Sequence, residues 1–569
     1  MAKIVIDPVT RIEGHLRIEA EVDGNRVADA WSSSTMFRGI EKILRGRDPR
    51  DAWVFTQRFC GVCTTVHAIA AIRAVEHALD VRVPPNAELI RNIIMGVQNI
   101  HDHVIHFYHL HALDWVDITS ALKADPARTS ALAAATSAWP LNSATYFKGI
   151  QDRLAAFVNT RRLGPFANAW WGHPAYRLAP EMNLMATAHY LEALEWQKDI
   201  IRIHAILGSK NPHPQTFLVG GMAITIDPAS QTALNAGRLA EIRGLLAKIS
   251  DFVEKVYIPD LLAIASQYKE WFAIGAGVGD FLCYGDFPSD NSGRAEALWM
   301  PRGMIRDRDL SRVHGVEQEK IAEYVDHSWY DSPAGPGAGL HPWDGATVHN
   351  YTGPRPPYEY LDTREKYSWV KAPRYEGRPV EVGPLARCLI ARAAGHREMK
   401  AAVDMVLARL HLQPADLCST MGRTVARGIE TLVLARKLPE WLEALTGNIR
   451  GGDCAVHNGE KWDPDTWPAE AKGYGWHEAP RGALGHWIRI RDGKIFNYQA
   501  VVPSTWLASP RDAKGQRGPY EAALAGTPLA DPKRPLEILR TIHSFDPCLA
   551  CAVHLFDPER GDGVTVKVL

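Results

Sequence analysis

Apolar and polar residues alternate near the start of the chain. Leu16, Ile18, Ala20 and Val22 interleave with Arg17, Glu19 and Glu21, the pattern of a half-buried strand. Asp23-Gly24-Asn25 supplies a turn and Arg26 to Ser32 returns, so residues 1 to 35 read as strands. A second hairpin is predicted where Asp492-Gly493 separates Trp487 to Arg491 from Lys494 to Val502, because an Asp-Gly pair favours primed turns. In the middle of the chain the period lengthens to that of a helix. Asn86 follows Pro84-Pro85 and predicts a helix cap ahead of Leu89, Ile93, Ile94, Val97, Ile100 and Val104. Further amphipathic helices are predicted from Pro180 toward a stop at Gly208, from near Ser230 to Gln267, and from near Arg387 to Leu410. Together these predict an α+β fold, predominantly helical, with a long helical bundle core and small antiparallel sheets near the N- and C-terminal segments. Residues 331–384 are rich in Pro, Gly and aromatics and read as an ordered covering loop. No repeat or domain boundary stands out, so the chain reads as one unit, with segments 1–80 and 475–554 joined at a shared site.

Charge narrows the function classes. Lys+Arg is 64 and Asp+Glu 65, a balance that argues against a general nucleic-acid binder. The best uncharged run, Thr129 to Phe147, is broken by Pro140 and Asn142, so no transmembrane helix is expected. The first residues hold no apolar stretch of signal-peptide length. By its own sequence the chain is expected to stay in the cytoplasm unless a partner carries it elsewhere. The 23 histidines point to proton or metal chemistry, and the 18 tryptophans to large buried surfaces.

Cysteine placement carries the chemistry. Cys283, Cys388, Cys418 and Cys454 stand alone and read as small buried hydrophobes. The other four form Cys60-x-x-Cys63, followed by His67, and Cys548-x-x-Cys551, followed by His554. Thiolates three apart chelate one metal, and two such pairs give four soft ligands suited to zinc, iron or nickel. From spacing alone, a tetrahedral zinc site clipping the two ends together stands beside a catalytic centre.

The flanking residues resemble a known family. Arg58-Phe59-Cys60-Gly61-Val62-Cys63-Thr64-Thr65-Val66-His67 and Asp546-Pro547-Cys548-Leu549-Ala550-Cys551-Ala552-Val553-His554 are similar to the two cysteine signatures of nickel-iron hydrogenase large subunits. Arg11-Ile12-Glu13-Gly14-His15, the histidine-rich run from His101 to Leu110, Ala479-Pro480-Arg481-Gly482-Ala483-Leu484 and Val502-Pro503-Ser504-Thr505 extend the resemblance, which runs from Ile4 to Leu569. It implies reversible heterolytic cleavage of H₂ at a nickel-iron centre carrying carbon monoxide and cyanide. Cys60 and Cys548 would be terminal nickel ligands, and Cys63 and Cys551 would bridge nickel to iron. Arg481 would sit over an open coordination position, oriented by Asp102 and Asp546. Glu13 would be the first proton acceptor. Pro480 and Ser504 would surround the diatomic ligands, with Ser504 hydrogen-bonding a cyanide. Glu41, the Ala500 carbonyl and His554 would hold Mg²⁺.

The same resemblance implies partners. No cysteine cluster remains for electron transfer, so an iron-sulfur small subunit is expected to form a heterodimer with this chain, itself possible as a dimer. The likeness to uptake types implies association with the membrane on its periplasmic side, by co-export with a signal-bearing small subunit; a cytoplasmic enzyme is the alternative. A maturation endopeptidase acting after His554, dependent on nickel-insertion factors, is expected to remove residues 555–569. A quinone-reducing relative would lack the four cysteines. A hydrogen sensor would lack the C-terminal extension.

Overall fold

The computed structural model describes residues 2–160, 166, 169–290, 292–354 and 360–552. Strands β1 (Ala2–Ile6), β2 (Leu16–Asp23) and β3 (Arg26–Ser34) form an antiparallel sheet in the order β1-β2-β3. Ile18 pairs with Ser32 and a bulge follows Glu21. Helix α1 (Val66–Leu79) follows the first cysteine pair, and α2 (Pro85–Ile105) follows Pro84, which is the N-cap residue. Asn86, predicted as the cap, is instead the second residue of the helix, and its side-chain amide donates to the carbonyls of Asp453 and Ala455.

The three remaining predicted helices are each interrupted, for identifiable reasons. Helix α3 (Pro180–Ile200) ends before a short helix at Arg202–Gly208, and Ser209 closes that in the left-handed region. Asn235, rather than Ser230, caps α4 (Ala236–Phe252) through its side chain. A widened turn at Val253–Tyr257 then leads into α5 (Ile258–Gln267). Pro259 has no N–H to give the Lys255 carbonyl, and the Ser137 hydroxyl donates to that carbonyl instead. The last predicted helix divides into α6 (Pro384–Ala393) and α7 (Arg397–Leu410), parted at Gly395, where φ is +80°.

The longest helix, α8 (Thr420–Arg450), is absent from the sequence expectation. Ser419 caps it. It packs against α2, α4, α5, α6 and α7. These helices contribute one of two large apolar clusters. The other joins the β1–β3 sheet to Trp329, Trp369, Trp506 and the C-terminal helices, so the core extends well beyond packed helices.

Near the other end, β4 (Glu470–Ala479), β5 (Gly482–Arg491) and β6 (Lys494–Val501) form a second antiparallel sheet. The predicted hairpin is its last two strands. Helix α1 lies directly on β4, and glycines make that approach possible: a Cβ at Gly475 would sit 2.0 Å from the Ala70 carbonyl oxygen, and one at Gly473 2.3 Å from that of Ala74. Helix α9 (Leu536–Ser544) and a final turn, α10 (Leu549–Ala552), return the chain to α1 and to residues 10–14. Between the sheets, residues 331–384 form few regular elements, apart from Ala372–Tyr375 pairing with Ile321–Tyr324. Backbone bonds anchor this stretch, including Trp369 N–H to the Ser34 carbonyl.

Candidate metal centre

Four cysteines from opposite ends of the chain meet in the interior. The sulfurs of Cys548 and Cys551 are 2.9 Å apart, those of Cys63 and Cys551 3.2 Å, and those of Cys60 and Cys548 3.4 Å. All four are buried. The backbone N–H groups of Val62 and Cys63 turn back to Cys60 Sγ, so the Cys-x-x-Cys loop wraps its own sulfur. Residues 10–14 form the other wall. Glu13 N–H donates to the Pro547 carbonyl and Leu549 N–H to the Glu13 carbonyl. Gly14, with φ +82°, allows this contact, since a Cβ there would lie 2.4 Å from Ala550 N.

The charges are arranged around the sulfurs. Burial pushes the thiols of Cys548 and Cys551 well up. Against its own desolvation, Cys60 is drawn well below the usual thiol range by hydrogen bonds from its neighbours and by the Arg481 guanidinium. Arg481 donates from Nη1 to Asp102 (3.2 Å), from Nη2 to Asp546 Oδ1 (3.0 Å) and from Nε to the Asp546 carbonyl (3.0 Å). Gln98 donates to Asp102 in turn. Glu13 Oε2 accepts from Cys548 Sγ at 3.2 Å and from Ala550 N–H at 3.0 Å. Desolvation, and then the charge on Cys60, raise the Glu13 carboxyl to about 7. It does not pair with Arg11.

A small cavity adjoins the sulfurs, lined by Cys63, Cys548, Cys551, His67, Pro480, Arg481 and Ser504. The Ser504 oxygen accepts the Cys548 N–H at 3.0 Å. His67 Nε2 is buried without a protein partner. Its Nδ1 meets His486 Nε2 at 3.1 Å, and His486 Nδ1 meets the Tyr498 hydroxyl at 2.6 Å. The structure thus brings together the four cysteines, Glu13, Arg481, Asp102, Asp546, Pro480 and Ser504. The mutual approach of four soft donors, with an unpartnered nitrogen beside them, fits a thiolate-bound metal centre.

Glu41 and Ala500 lie in a separate pocket. Glu41 Oε1 accepts the Ala500 N–H at 3.0 Å, and Oε2 accepts the Thr347 hydroxyl. Lys371 sits between Glu323 (3.2 Å) and Gln499 Oε1 (2.7 Å), 3.9 Å from Glu41. Glu323 Oε1 is buried with no partner. An oxygen-rich pocket with an unsatisfied carboxylate oxygen suits a hard cation. His554 and residues 555–569 lie outside the described residues.

The sequence expectation missed a second ring of charge. Arg387 donates to Glu430, to Glu478 (2.8 Å) and to the Ala479 and Pro480 carbonyls, while Arg427 reaches the Pro480 and Ser544 carbonyls. His103 meets Glu430 at 2.8 Å. These groups hold the loop that presents Arg481. The one signal in the sequence was Arg423, Arg427 and Glu430 recurring at helical spacing among apolar residues.

Buried thiols gathered beside an arginine and a carboxyl raised to about 7 are the residue types of a metalloenzyme site. A family profile described as nickel-dependent hydrogenase matches residues 38–554, and a short one described as HoxL-like matches residues 3–33. The uptake hydrogenase large subunits of Bradyrhizobium diazoefficiens and Rhizobium leguminosarum bv. viciae are 52% and 51% identical, over 100% of this chain and 97% of theirs. The hydrogenase-1 large chain of Escherichia coli K12 is 48% identical over the same shares. The Ni-Fe-Se hydrogenase of D. vulgaris Hildenborough superposes with a TM-score of 0.77 at 34% identity, covering 97% of this chain and 100% of that one. The chain belongs to the nickel-dependent hydrogenases, as a large, catalytic subunit that oxidises H₂.

Proposed function

We propose that Cys60, Cys63, Cys548 and Cys551 would hold a nickel-iron centre carrying carbon monoxide and cyanide, Cys60 and Cys548 serving as ligands of nickel and Cys63 and Cys551 as ligands of both metals. When bound, that centre supplies the Lewis-acidic, redox-active site at which H₂ is cleaved heterolytically. The chain's own residues do the rest. Arg481 stays cationic when buried, and its fork, held by Asp102 and Asp546, offers its remaining N–H groups to the cavity. It also offsets the negative charge of the thiolates. Glu13 receives the released proton at Oε2 by way of the Cys548 sulfur, and a carboxyl near neutrality can accept and pass it on. Ser504 and Pro480 line the space for the diatomic ligands.

The observation that carries this reading is Glu13 Oε2 at 3.2 Å from a sulfur of the four-cysteine cluster. A zinc clip has no use for a proton acceptor there. The purified enzyme should contain nickel and iron and show infrared bands of carbonyl and cyanide. Cys→Ser at any of the four positions should abolish hydrogen oxidation, since an alkoxide is harder and more basic than a thiolate. A zinc-only protein without those bands would overturn the assignment.

Electrons leave through an iron-sulfur small subunit, because the remaining cysteines, Cys283, Cys388, Cys418 and Cys454, form no cluster among the described residues. Glu41, the Ala500 carbonyl and His554 would hold Mg²⁺, a hard cation suited to oxygen donors. Among the described residues no helix is long and apolar enough to cross a membrane. Membrane association on the periplasmic side would come through the small subunit, with which the folded chain is exported. A dedicated endopeptidase cuts after His554 once nickel is in place.

A further inference from the structure

Behind the centre lies a buried carboxylate to which the proposed reaction assigns no part. Asp114 is fully enclosed. Its Oδ1 accepts from Arg11 Nη2 at 2.5 Å, and its Oδ2 faces His543 Nδ1 at 2.6 Å and His111 Nδ1 at 3.1 Å. Three ligand-type side chains this close have the look of a cation site, but their hydrogen-bond partners favour a network of donors around the carboxylate. Trp115 Nε1, which can only donate, points at His111 Nε2 at 3.0 Å, where the Thr424 hydroxyl also lies at 2.9 Å; with Nε2 accepting from the indole, the His111 proton is on Nδ1 and faces the carboxylate. His543 Nε2 faces the Thr10 carbonyl at 2.8 Å, an acceptor, so Nε2 donates there while Nδ1 faces Asp114. Asp114 thus meets three partners at once, and Arg11 and the two histidines hold its carboxyl well below the usual range against desolvation.

The donors come from three parts of the chain. Arg11 lies in the segment that carries Glu13 and takes a left-handed backbone, φ +58°. That costs on the order of 1 kcal/mol in a non-glycine residue and persists only where contacts fix it. Here the fixing contacts are Asp114 and the Leu110 carbonyl, which accepts from Arg11 Nη1 at 2.6 Å. His543 lies on α9, just ahead of Asp546 and Cys548, and grips Thr10 with its other nitrogen. His106 Nε2 donates to the His543 carbonyl at 2.6 Å.

We propose that Asp114 is a positioning residue for proton transfer: through Arg11 and His543 it clamps residues 10–14 onto residues 543–550 and so sets the gap between Glu13 and the Cys548 sulfur. The proposal rests on the reading of Glu13 as proton acceptor. Asp114→Asn replaces one acceptor oxygen with an N–H that opposes Arg11 or His543. Arg11→Lys keeps the charge but cannot reach Asp114 and the Leu110 carbonyl at once.

Both variants, purified as the complete enzyme, should retain nickel, iron and the infrared bands. Their kcat should fall about tenfold to a hundredfold, the scale for a catalytic group displaced by about 1 Å, with KM for H₂ unchanged. The ratio of rates in H₂O and D₂O should rise as proton transfer becomes limiting. A wild-type kcat, a fall without any rise in that ratio, or loss of both metals from both variants would each overturn the clamp. Glu13→Gln run in parallel separates the two readings. If it turns over normally, the Glu13 assignment itself fails; if it is slow while Asp114→Asn and Arg11→Lys are normal, only the clamp does.

Discussion

Arg481 makes three hydrogen bonds from a buried guanidinium, and their geometry is specific to a planar fork. A lysine would keep the charge but could not hold Asp102, the Asp546 carboxylate and the Asp546 carbonyl together. Arg481→Lys should therefore lower turnover by about a hundredfold or more while nickel and iron remain, as read by hydrogen-uptake kinetics beside metal analysis. A different buried acid controls stability. Glu521 accepts from Ser32 N–H and the Tyr367 hydroxyl, with Arg511 beside it. Burial outweighs Arg511 and raises its carboxyl from 4.5 to about 7. The folded state thus binds this proton more tightly than the unfolded chain. The stabilisation is fully present below pH about 4.5 and is lost as pH rises through about 7. Glu521→Gln removes that titration. Between roughly pH 5 and roughly pH 8 the variant should gain about 2–3 kcal/mol on the wild type, visible as a pH-dependent difference in Tm at one scan rate.

Among the elements, the contact between α1 and β4 leaves least room. Gly475→Ala would drive a methyl into the Ala70 carbonyl, backbone against backbone, where no side chain can yield. A cost of about 3 kcal/mol or more is expected, and because α1 begins beside Cys63, soluble yield and nickel content should fall together. The first sheet was legible from the alternation in β2, and the last two strands of the second from the chemistry of the Asp492-Gly493 turn; β4 was not, and β2 and β5 turn out to be buried on both faces. Helix α8 was not legible either. Its inner face carries Arg423, Arg427 and Glu430, whose buried ion pairs break the apolar stripe that marks a helix. The interruptions in the other helices carried local marks, Pro259 and Gly395, but the partner that satisfies the Lys255 carbonyl, the Ser137 hydroxyl, is distant in sequence. At the site, cysteines and their flanking motifs could be read directly. Arg387, Glu478, Asp114 and Lys371 could not, since isolated charged residues show their burial only after folding.

For the whole molecule, the described chain reaches Ala552 with the cysteine cluster already enclosed, and residues 555–569 follow a site that must receive its metals. The proposed processing makes an intact-mass measurement decisive: active enzyme should end at His554, and active enzyme still carrying Leu555 to Leu569 would refute it. The positions that meet at the centre also have a consequence for the polymer itself. Cys60 and Cys548 are 488 residues apart, so a metal shared between them turns almost the entire polypeptide into a ring. Closing a loop of that length removes conformational freedom from the unfolded chain worth about 6 kcal/mol by the chain-entropy relation. The catalytic centre is in this sense also a clasp, and the free energy that binds the metal is partly spent keeping the two ends of the chain from parting.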